Sequence, residues 1–174
     1  MRSVTGVLVR QTMFGLVLVV LSLLVLGLVQ AAIGLGPPPR GGVLLVGASV
    51  VFACVSGGVM GMTIGAAARA RRFNGGMVIA LLAGLVWGSV LCTMVAPLYL
   101  ESALDAVVRQ GAGELLRERR ALLNRDTGLP YAVEAAKTLA WSGAGRLPIL
   151  SLLVWTLLGP AIAGAFEARW AMRR

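Results

Sequence analysis

Four apolar stretches, each long enough to cross a bilayer as a helix, take up more than half of this 174-residue chain. No polar block remains that is large enough for a soluble domain. Hydrophobic residues make up 58% of the chain and mean hydropathy is +0.87, above the roughly 45–50% apolar usage of soluble domains. The expected fold class is an all-α integral membrane protein with four transmembrane helices. They lie near residues 13–35, 43–68, 77–98 and 147–168 of a single membrane domain, 1–174, with an amphipathic helical segment, 101–146, between the third and fourth.

Two of these stretches carry small residues four apart. Ser49, Ala53, Gly57, Gly61 and Gly65 run through the second, and Gly76, Ala80, Gly84, Gly88, Cys92 and Ala96 through the third. Small residues at this spacing let helix backbones approach until they touch, so both stripes read as packing surfaces for another span or a partner. A spacing of four on a helix that repeats at 3.6 advances about 40° per step, so one straight neighbour cannot cover a whole stripe. The third span is expected to cover part of the second span's stripe, leaving the rest for another span or chain.

The first stretch follows Arg2 and Arg10 and is interrupted by Ser22 and Gln30. It is too long for the apolar region of an ordinary signal peptide, so an uncleaved first span is expected. Pro37, Pro38 and Pro39 end it as a stiff extended connector. Arg69, Arg71 and Arg72 precede an Asn74-Gly75-Gly76 turn, as in a short loop on the positive side of a membrane or a lipid-headgroup contact. Pro97 should stop or bend the third span, and Tyr99 suits an interface.

Between Glu101 and Arg146 the composition changes to seven basic and six acidic residues, interleaved. Leu104, Val107, Val108, Leu115 and Leu122 fall near one helical face, although Gly111, Gly113 and Gly128-Leu129-Pro130 interrupt it. In the last span Gly159 and Pro160 predict a kink, and Glu167, Arg169, Trp170, Arg173 and Arg174 close the chain at an interface.

The net charge is +9, from 16 basic and seven acidic residues. Because the basic residues cluster at the ends of apolar runs, they point to anionic headgroups and membrane orientation, not to nucleic acid. With four spans both termini share a side, with Arg2, Arg10, the loop arginines and the C-terminal arginines against one acid, Glu167. That density predicts cytoplasmic termini, with the protein in a bacterial inner (cytoplasmic) membrane and residues 101–146 on the opposite side.

Histidine is absent, which removes imidazole-dependent metal, haem and triad chemistry. Cys54 and Cys92 sit in mid-span and read as small buried residues, not as ligands or a disulfide. No ionisable residue is expected at membrane depth in any span, and the hydroxyls of Ser22, Ser49, Ser56, Thr63, Ser89, Thr93, Ser151 and Thr156 are expected to bond to backbone carbonyls. No enzyme activity, cofactor or metal is expected. The best reading is a non-catalytic accessory or scaffold subunit of a larger membrane complex, whose partners are other membrane subunits and lipids; the chain could also self-associate. The alternative is a membrane subunit of a transporter or oligomeric channel.

Overall fold

A computed structural model describes residues 4–33, 40–107 and 146–173. Among them the chain is almost entirely helical, with no strand. Helix α1 (Val4–Leu21) passes through a π-helical turn (Ser22–Leu26) into α2 (Gly27–Ala32). Then follow α3 (Arg40–Ala70), α4 (Gly76–Val107) and α5 (Arg146–Met172). Four spans, Val4–Ala32, Val43–Ala70, Gly76–Tyr99 and Leu147–Met172, are long and apolar enough to cross a membrane.

The first helix begins at Val4, ahead of the apolar run at Met13, so Arg10 and Gln11 are part of it. Its buried face is Val7, Gln11, Gly15 and Leu18, a helical spacing that continues to Ser22. The prolines of the connector and residues 108–145, most of the amphipathic segment, lie outside the described residues. Neither internal proline ends a helix. α4 continues through Pro97 to Val107, and α5 runs unbroken through Gly159-Pro160. Tyr99, expected at an interface, is 5% exposed and belongs to the core with Val46, Val50, Cys54, Ile149 and Leu152.

α3 ends in a Schellman turn, a paired capping of its last carbonyls. The Phe73 N–H bonds to the Ala68 carbonyl at 2.8 Å and the Arg72 N–H to the Arg69 carbonyl at 3.0 Å. The residue in the left-handed position is Arg72, with φ 53°. Glycine usually occupies it.

α5 is the centre of the bundle. Half of its apolar window is buried, against 17%, 39% and 22% for the other spans in chain order. α3 lies along one side of it and α4 along another, and α1 sits over α3, with Gly15 meeting the Val51 backbone and Gly58 meeting Gln11.

Candidate functional site

Both small-residue stripes converge on α5. A Cβ on Gly57 would overlap the Pro160 backbone, one on Gly61 the Gly164 carbonyl, and one on Gly65 would lie 2.6 Å from the Ala168 carbonyl oxygen. The pairing advances by four residues on each helix at every step, which only parallel helices in register can do. Ser49 extends the seam as a hydrogen bond, its Oγ 2.9 Å from Thr156 Oγ1, and Ala53 is fully buried. Each hydroxyl also has a carbonyl of its own helix within reach, Val46 for Ser49 and Leu152 for Thr156, and since each has a single proton one donates across the seam while the other donates to its carbonyl.

The second seam is antiparallel. A Cβ on Gly84 would overlap Ala161 and one on Gly88 the Leu157 carbonyl, while Cys92 Sγ lies 3.9 Å from the Leu153 carbonyl oxygen. Each step of four along α4 is a step back of four along α5. Ala80 is fully buried, and its carbonyl oxygen faces the open side of Gly164. α4 was expected to cover part of the α3 stripe and another span or chain the rest; the contacts at Ser49, Gly57, Gly61 and Gly65 are with α5, the other span. α5 meets the α3 stripe with a matching one of its own at Thr156, Pro160, Gly164 and Ala168, and meets the α4 stripe with the adjoining row of Leu153, Leu157 and Ala161. The spacing of four is visible in the sequence, but the proline and the large residues between its members hide it.

Pro160 has a packing role here. It lacks the N–H that would bond to the Thr156 carbonyl, yet it is almost fully buried and lies where Gly57 has no side chain. Gly159 leaves room for Cys54, whose Sγ would be 3.0 Å from an added Cβ. Arg69, Arg71 and Arg72 are all exposed at the turn between α3 and α4.

The polar groups of α1 meet α5 in a cluster that the sequence reading did not anticipate. Glu167, expected at an interface, is 2% exposed. Its Oε1 accepts from Arg10 Nε at 2.9 Å, from Arg10 Nη2, and from Gln11 Nε2 at 2.7 Å. Gln11 is also 2% exposed, whereas the Arg10 side chain is 35% exposed, its guanidinium 5.9 Å from the centre of the Phe166 ring. Ionisable groups thus lie within two helices long and apolar enough to span, contrary to the expectation that none would. The signal was Gln11 at helical spacing from Val7 and Gly15, with Arg10 beside it.

Further along α1, Ser22 Oγ lies 3.1 Å from Ser151 Oγ, and across α3 and α4 Trp87 Nε1 donates to Ser56 Oγ at 2.8 Å. Of the hydroxyls expected to bond to backbone carbonyls, those of Ser22, Ser49, Ser56, Ser151 and Thr156 also make contacts across helices. Gln30, at the far end of the first span, is 1% exposed. Among the described residues no cluster of three His, Cys, Asp or Glu could hold a metal ion, and both cysteines are free thiols. Comparison of the chain with protein families, with curated proteins and with solved structures finds no match.

Proposed function

We propose that this chain is an integral membrane protein, a non-catalytic accessory or scaffold subunit of a larger membrane complex. The observation that carries this reading is backbone contact along both seams of α5. Two seams closed to this degree bring α3 and α4 against the central helix, with no room for a solute to pass along either. What the bundle offers its surroundings is its outer surface, where Leu44, Phe52, Val86 and Met94 are more than half exposed. Such a surface suits lipid or the spans of a partner. The arginine-rich end, with both termini, would face the cytoplasm of a bacterium, following the positive-inside bias.

The test is purification from native membranes in mild detergent, with mass spectrometry of what accompanies the chain. Stoichiometric membrane subunits are expected. A chain recovered alone and monomeric, with intact folding, would overturn the reading.

A second reading, a membrane subunit of a transporter or oligomeric channel, is favoured by the Arg10–Glu167 pair. Along their helices Arg10 stands about 12 Å and Glu167 about 11 Å from the middle of their spans. Both distances fall inside the roughly 15 Å half-thickness of the hydrocarbon layer. Ionisable residues at such depth commonly mark ion or proton pathways. Here the pair closes on itself, which favours the scaffold. Solute or ion flux in vesicles containing the reconstituted chain, lost in Glu167→Gln, would reverse that preference.

A further inference from the structure

We propose that the outer face of α5 near its C-terminal end binds an anionic phospholipid, its acyl chain on Leu158, Ile162 and Phe166 and its phosphate held by Arg10, Arg169 and Arg173. The proposal rests on the membrane placement above and goes beyond it by naming a ligand and a site.

Ile162 and Phe166 are 44% and 48% exposed, and Leu158 is half-buried in the same row. Arg169 and Arg173 follow Phe166 at three and seven residues, and both are exposed. At 100° per residue these five positions fall within about 80° of one another, so they form one straight face. From Leu158 to Arg169 the face is about 16 Å long, close to the roughly 15 Å of one hydrocarbon leaflet. The apolar part therefore has the length of an acyl chain, and the cations begin where headgroups begin.

The third cation comes from α1. Arg10 is fixed over the Phe166 ring because its Nε and Nη2 are bonded to Glu167, and a third of its side chain remains exposed. A guanidinium already fixed loses little further freedom on meeting a phosphate. Charge favours an anionic occupant. The described residues at this end of the bundle include Arg10, Arg69, Arg71, Arg72, Arg169 and Arg173, and the single acid among them, Glu167, is buried against Arg10. Basic surfaces between spans on the cytoplasmic side commonly hold acidic lipid headgroups.

The test is native mass spectrometry of the full chain in detergent, titrated with phosphatidylglycerol or phosphatidylcholine. The wild type should retain one phosphatidylglycerol in preference to phosphatidylcholine. Arg169→Gln/Arg173→Gln should weaken that retention by about thirtyfold, and Ile162→Gln should weaken it for the same headgroup. Arg69→Gln/Arg71→Gln/Arg72→Gln removes more charge at the same end and should leave it unchanged. Equal retention of the two lipids, or equal loss from both arginine sets, would overturn the proposal, as would loss of a copurifying protein with phosphatidylglycerol retained. Failure of the membrane placement would show separately, as a chain that does not float with phosphatidylcholine vesicles.

Discussion

At Gly61 the Cα faces the Gly164 carbonyl so closely that any side chain must push α3 and α5 apart. Overpacking a relaxed core costs about 1–3 kcal/mol, and here the obstacle is backbone, which cannot turn aside. Gly61→Leu should therefore lower stability by more than about 3 kcal/mol, whereas Leu81→Ala, at a side chain 39% exposed, should cost well under 1 kcal/mol. Unfolding titrations and oligomeric state compared for the two variants check this, and equal behaviour would show that the seam is not where the bundle is held. Glu167 has the opposite dependence, on partners instead of space. Glu167→Gln and Arg10→Gln should each cost about 1–3 kcal/mol, since each strands a polar group in a largely buried site. The double variant should cost less than the sum, by about 1 kcal/mol or more, because the groups are in direct contact. Additive losses in a double-mutant cycle would mean that the pair is incidental.

Among the elements, α3 is terminated by its own backbone, and the strained position is Arg72. A side chain in the left-handed region costs about 1–2 kcal/mol, so Arg72→Gly should stabilise the protein by about 1 kcal/mol even though a charge is lost. Arg72→Ala removes the charge and keeps the strain, so it separates the two effects, and a glycine variant no more stable than the alanine one would contradict the capping account. The four spans were legible in the sequence because length and hydropathy act locally. The start of α1 was not, since Arg10 and Gln11 look like a polar flank until a buried carboxylate on another helix satisfies them. That α4 continues past Pro97 and α5 past Pro160 was not legible for a related reason. A proline lacks one hydrogen bond wherever it sits, but whether the helix goes on past it depends on what packs around it.

For the whole molecule, the contacts of Arg10 with Glu167 and of Gly76 with Ala68 and Met172 bring the start of α1, the α3–α4 turn and the end of α5 to one end. In the proposed membrane, reporters fused at either terminus or placed at Asn74 should all report the same side, the cytoplasmic one. A reporter at Asn74 opposite to the termini would be incompatible with this packing. The sequence by itself determined that the chain is helical, that four stretches can span, and that two of them carry surfaces for close approach. Those properties depend on residues near one another along the chain. Which surfaces meet was decided only in three dimensions. α5 carries a stripe broken by a proline and stands far along the chain from the stripes it covers, 61 residues away even at the Cys92–Leu153 contact. Its partnership with both, like the pairing of Glu167 with Arg10, comes from complementary shape and charge that no local pattern displays.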